Sequence, residues 1–195
     1  MKEYELHIRL LNIVSKSGLP VIVFLLFLLI GAGCGRASPV VELEDEAAMS
    51  LQVSSPVLME GGTIARKYTC DAENVSPPLT WSGIPSGTQS LALIADDPDA
   101  PAGTWVHWVL YDLPADTTSL AEGTKGIGVE GVNDFRKSGY GGPCPPRGST
   151  HRYYFKVYAL DKQLGLTPGA GKRDVERAMQ GHVLAQGVLM GKYGR

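Results

Sequence analysis

The chain has no basic excess: 18 Lys and Arg stand against 20 Asp and Glu, a formal net charge of −2. Recognition of a phosphate backbone needs clustered positive charge, and no Lys/Arg block occurs, so no nucleic-acid partner is expected. Cysteine is scarce. Three in 195 residues are too few for a disulfide scaffold, and Cys34, Cys70 and Cys144 are too scattered for a zinc site. The chain also lacks an apolar run of the roughly 20 residues that a spanning helix needs, since Val21 to Ile30 is only ten long. Disorder is excluded by 44% hydrophobic content at near-neutral charge. Turn chemistry is what the chain has in abundance, with 24 Gly and 13 Pro against roughly 12% for the pair in average usage. Such a composition suits many short strands better than a helix bundle.

Lys2, Arg9 and Lys16 precede the ten-residue run, and Gly31-Ala32-Gly33-Cys34 follows it. A short apolar run with a basic flank and small residues behind it reads as an export signal. Its Gly-Ala-Gly-Cys end resembles the lipobox of bacterial lipoproteins, which implies cleavage after Gly33 and a lipid on Cys34. The expected organisation is a signal peptide over 1–33, the lipidated Cys34 and a polar tether over 34–50, and one domain over 51–195. An uncleaved anchor and a buried core segment are the alternatives. The expected location is the cell envelope, lipid-anchored on the periplasmic side. The outer membrane is favoured because Gly35 replaces the Asp that by family rule retains lipoproteins in the inner one. Export leaves Cys70 and Cys144 as an even pair in an oxidising compartment, and a disulfide between them is expected.

From Leu51 onward the pattern is β. Apolar stretches at Val57–Leu58, Leu79–Trp81, Leu91–Ala95, Trp105–Tyr111, Tyr153–Leu160 and Val188–Met190 alternate with turn clusters such as Ser76-Pro77-Pro78, Asp97-Pro98 and Gly141-Gly142-Pro143. This predicts an all-β, antiparallel two-sheet sandwich. One helix near the C-terminus is predicted within Asp174–Gln186, where Val175, Ala178, Met179, His182 and Val183 recur at helical spacing. Strand alternation puts Trp105, His107, Val109 and Tyr111 on one face and Val106, Trp108 and Leu110 on the other. It also puts His151, Tyr153, Phe155, Val157 and Ala159 on a core-facing row.

Asp97-Pro98-Asp99-Ala100-Pro101, Trp105-Val106-His107-Trp108, Gly139 to Pro146 and His151-Arg152-Tyr153 together resemble the phosphatidylethanolamine-binding protein family, in its bacterial and archaeal Raf-kinase-inhibitor-like branch. The resemblance covers Leu51 to Arg195. It implies a small anion-binding pocket at one end of the sandwich, formed by Asp97, His107, the backbone of Gly142, Pro143, Cys144 and Pro145, His151 and Tyr153. Trp105 is expected as a wall because it shares a face with His107. Two imidazoles and a phenol offer donors to an oxyanion, and glycines let backbone N–H groups approach it closely. Asp97 suits such a pocket if it pairs with a histidine and keeps that ring cationic. The two prolines around it stiffen the loop, and either X–Pro bond is a candidate for cis.

Duller readings remain for each piece. A histidine on an apolar strand face is often a satisfied core residue, and His182 reads as structural. Asp96, Asp97 and Asp99 have the makings of a calcium loop, but Pro101 stands where a third ligand belongs, so no metal or cofactor is expected. Three functional classes compete. The first is a binding or inhibitor-like module for a small anionic, phosphate-type headgroup, with a protease inhibitor as its variant. The second is a phosphoester hydrolase using His107, His151 and Asp97. The third is a structural envelope protein. No nucleophile elbow or grouped metal ligands occur, so the binding module is expected rather than an enzyme. An envelope protein target and a homodimer are open.

Overall fold

The computed structural model describes Met49–Arg195. The expected signal peptide, the lipid site at Cys34 and nearly all of the tether lie outside these residues.

Strand β1 is Met49–Ser50, β2 Gln52–Ser54, β3 Leu79–Ser82, β4 Ser90–Asp97 and β5 Trp105–Pro114. Strands β6 (Ser119–Leu120), β7 (Val129–Glu130) and β8 (Thr150–Leu160) follow, then helix α1 (Lys172–Met179) and β9 (Val183–Gly194). A six-stranded sheet runs β1-β9-β8-β4-β5-β7, and a three-stranded sheet runs β2-β3-β6. Neighbours are antiparallel throughout, except for β1 beside β9 at one edge. The mostly antiparallel two-sheet architecture with one short helix is thus the one the sequence predicts.

The unbroken apolar run Leu91–Ala95 makes sense because β4 is covered on both faces. Leu91, Leu93 and Ala95 pack between the sheets with Leu79, Trp81 and Leu120. Ala92 and Ile94 face a second core, with Leu160 and Leu164 and with Val175 and Met179 of α1. Each fully buried Leu or Ile contributes roughly 1.5–3 kcal/mol relative to exposure.

Three local expectations are corrected. Val57–Leu58 is no strand, and only an isolated bridge joins Ser55 to Leu58. The helix stops at Met179, short of Gln186, because Gly181 takes φ +76° and Val183 already begins β9. His182 therefore leaves the helix and pairs with Asp161 at 2.8 Å. Strict alternation also fails along β5. Ala95 faces Trp108 and Asp96 faces Val106, so His107 is the extra residue of a β-bulge. Val106 consequently joins Val109 and Tyr111 in the second core, while Trp108 and Leu110 belong to the first.

Candidate functional site

Antiparallel pairing brings the C-terminal end of β4 beside the N-terminal ends of β5 and β8, with Asp97 opposite Trp105 and Asp96 opposite Tyr154. A cavity of about 230 Å³ opens there, lined by Asp97, Trp105, His107, Cys144, Pro145 and His151 of the expected set. Ala100, Pro101, Phe135 and Pro146 complete it. Phe135 stands edge-on to Trp105 and to His107, with ring centroids 5.4 Å apart in both pairs. It was missed in the sequence, where the only signal is a single aromatic inside the polar turn Asn133 to Lys137.

Tyr153 and Pro143 lie off the cavity, in a small void between His107, Tyr140 and Phe155. The Tyr153 hydroxyl is buried without a hydrogen-bond partner. Burial, reinforced by the nearby Asp97 carboxylate, drives its pKa far above the ordinary phenol range.

The expected glycine donors are not at the cavity. Gly141 N–H donates to the His107 carbonyl at 2.8 Å, and Gly142 N–H to Asn74 Oδ1 at 2.7 Å. Glycine is needed here for closeness of another kind. A Cβ at 141 would strike the Phe135 ring, and one at 142 would strike the Tyr68 carbonyl and Asn74. In Pro143-Cys144-Pro145-Pro146 only Cys144 carries an N–H, and it has no protein acceptor among the described residues. Cys144 itself is bonded to Cys70, with their Cα atoms 5.4 Å apart. No cis peptide occurs among the described residues, so Asp97–Pro98 and Ala100–Pro101 are trans.

Asp97 and His151 form the polar end of the cavity. His151 Nδ1 donates to Asp97 Oδ2 at 2.7 Å, and the two side chains are 7% and 5% exposed. The other Asp97 oxygen accepts the Asp99 N–H at 2.8 Å, which fixes the carboxylate's orientation. Ser149 donates its hydroxyl proton to the Pro146 carbonyl at 2.7 Å and meets His151 Nε2 at 3.3 Å. The arrangement is a buried histidine hydrogen-bonded to a carboxylate.

His107 is different. Its Nδ1 lies 2.6 Å from the Gly141 carbonyl, which can only accept, so the proton sits on Nδ1. Burial lowers its pKa, against the opposing pull of that carbonyl and of Asp97, so the ring is neutral near pH 7. The aspartates nearby are matched by cations. Asp96, 1% exposed, accepts from Lys156 at 2.8 Å and from Lys172 at 2.5 Å, and Asp99 pairs with Arg152. Hydrogen bonds from the Arg152 guanidinium hold the Asp99 carboxyl down at about 2. No group of metal-ligating side chains forms among the described residues, and these three carboxylates are already used.

A sequence model described as phosphatidylethanolamine-binding protein matches residues 54–194. A protein of Methanothermobacter thermautotrophicus named UPF0098 protein is 53% identical over 140 residues, covering 69% of this chain and 92% of its own. A UPF0098 protein of Pyrococcus horikoshii is 42% identical over 93% of this chain and 91% of its own. Among solved structures, a phosphatidylethanolamine-binding protein homologue of Chlamydia trachomatis, CT736, superposes with a TM-score of 0.72 at 40% identity. It covers 75% of this chain and 99% of its own. YbcL of E. coli, described as a member of the mammalian family, gives 0.70 at 32% identity, with the same coverage. With nearly the whole described domain matched in sequence and in fold, the chain belongs to the phosphatidylethanolamine-binding protein family.

Proposed function

We propose that this protein binds a small anion of the phosphate-headgroup type in the cavity between Asp97, His107 and His151, and that it acts by binding rather than by catalysis. The observation that carries this is the buried Asp97–His151 pair at the end of an otherwise apolar cavity. A carboxylate there serves to keep a cation in place, and the cation attracts the ligand. The free Cys144 N–H supplies a second donor. Against turnover stands Ser149. It has the order of a nucleophile beside a His–Asp pair, but its proton goes to the Pro146 carbonyl at 2.7 Å rather than to the imidazole. In the same reading the protein works in the cell envelope, held by a lipid on Cys34.

Calorimetric titration with inorganic phosphate and O-phosphorylethanolamine tests the site. His151→Ala should weaken binding by about 1.5–3 kcal/mol, the range of hydrogen bonds to charged groups. Asp97→Asn should weaken it too, although it removes a negative charge. Tighter binding by Asp97→Asn would mean that the carboxylate repels the ligand and the site is misassigned. Hydrolysis of generic phosphoesters, lost with His151→Ala, would replace binding by catalysis.

A further inference from the structure

Six large apolar side chains are exposed among the described residues, and they are not scattered evenly. Phe135 belongs to the cavity, and Ile127 stands apart in the loop before β7. The other four, Val57, Met59, Val183 and Val188, lie on β9 or in the segment 57–62 beside its edge. In that segment Gly61 N–H donates to the Met190 carbonyl at 2.8 Å, and the Gly62 carbonyl accepts from Lys192 N–H at 2.8 Å. The Glu60 carboxylate takes the Met190 N–H at 2.9 Å. Strand alternation explains the exposure along β9. Leu189 packs in the first core, and Gly187 and Gly191 face Leu51 and Ile64. Gln186, Val188, Met190 and Lys192 therefore point to the other side of the sheet. The second core, with α1, covers that side only over β4, β5 and the Leu160 end of β8. What is left open is a face with Val188 and Met190 at its centre, Met59 81% exposed beside it, and Tyr154 opposite Met190. Arg152 and Lys192 stand opposite one another at one end, with Asp99 already paired to Arg152.

Apolar side chains fringed by cations suit the boundary between acyl chains and phosphate headgroups. The course of the chain points to the same occupant. The first strand, β1, pairs with β9 at Ala185 and Gln186, so the N-terminal part of the chain enters along this edge. Only 14 residues separate Cys34 from Met49. As a flexible coil they span roughly 20 Å, about half the ~40 Å width of a domain this size. A lipid on Cys34 thus keeps the β9 edge near the bilayer. We propose that the outer face of β9, with the segment 57–62, docks on the membrane surface; this rests on the lipid-anchored envelope reading above. So few apolar side chains bind a bilayer weakly by themselves. The tether makes the contact intramolecular and raises its effective concentration.

The test uses the full chain with its own N-terminus, reconstituted in phosphatidylcholine vesicles. Met59→Cys, Val188→Cys and Ile127→Cys each carry an environment-sensitive fluorophore. Ile127 is the control, exposed and apolar but at the opposite edge of the sheet. Emission at 59 and 188 should move to the blue on reconstitution. Lipids spin-labelled in the headgroup region should quench it several-fold more than emission at 127. Equal quenching at all three positions, on protein that floats with the vesicles, overturns the contact while the anchor stands. Protein that does not float overturns the anchor, and the contact with it. A blue shift at 59 and 188 that spin-labelled lipid does not quench, and that grows with protein-to-lipid ratio, gives the face to a second copy and overturns the proposal.

Discussion

At the scale of single residues, the cavity holds two histidines in opposite surroundings. His151 has a carboxylate 2.7 Å from Nδ1, whereas His107 has a backbone carbonyl there and is buried among rings. A pH dependence of stability follows for His107. Its folded pKa lies below the unfolded value of about 6.5, so the unfolded chain binds the extra proton first. The contribution of the neutral ring is therefore fully present above about pH 6.5. It is lost as pH falls through that value toward the lowered folded pKa. Urea midpoints measured between pH 8 and pH 5 should fall in the wild type, and the fall should be shallower in His107→Gln. The groups whose charges bear on the ring, Asp97 and Asp134, are unchanged in that variant. An identical acid slope in both proteins would show that His107 titrates as it does in water. The placement of both histidines at the cavity was legible in the sequence, but the difference in their surroundings was not. It depends on a bulge and on a carbonyl 34 positions away, neither of which period-2 spacing encodes.

At the scale of elements, the strands were readable because β4, β5 and β8 carry continuous or alternating apolar runs bounded by Gly and Pro. The loops were less readable. The sequence suggests that Gly141 and Gly142 face an anion, yet their N–H groups bind His107 and Asn74. Phe135 escaped notice because a turn aromatic has no periodic partner. The disulfide between Cys70 and Cys144 links two loops, one following the 3₁₀ turn Arg66–Tyr68 and one forming the cavity wall. Beyond the disulfide, the backbone bond from Cys70 N–H to the Pro143 carbonyl joins them at 3.1 Å. Closing a loop of sequence separation 74 is worth roughly 4 kcal/mol in the chain-entropy picture, and 2–4 kcal/mol is typical. At about 2–4 °C per kcal/mol for a domain of this size, thermal midpoints should drop by roughly 5–15 °C on reduction. The paired Cys70→Ser, Cys144→Ser variant should melt with the reduced protein and be insensitive to dithiol. Melting that does not respond to reductant in the wild type, with both thiols alkylated before reduction, would mean that the bond does not form.

At the scale of the whole molecule, the disulfide and the N-terminal sequence bear on the proposed compartment. A stabilising disulfide beside the cavity is commonest in proteins of oxidising compartments. The first 34 residues supply an independent reason to expect such a place: a basic flank, ten apolar residues, then Gly31-Ala32-Gly33-Cys34. We propose export on these two features, which share no residues, and the N-terminus tests it. A single acyl chain anchors only marginally, and stable attachment takes more than one, so lipidation of Cys34 should carry at least two chains. Expressed with its own N-terminus, the protein should partition into detergent, and its mass should correspond to a chain beginning at a lipid-modified Cys34. Cys34→Ala should abolish the lipid mass while leaving the Cys70–Cys144 bond and the thermal midpoint of the domain unchanged. A mature mass that includes Met1, or an unmodified Cys34, would reject the anchor. The disulfide would then have to be explained by some other route to an oxidising compartment.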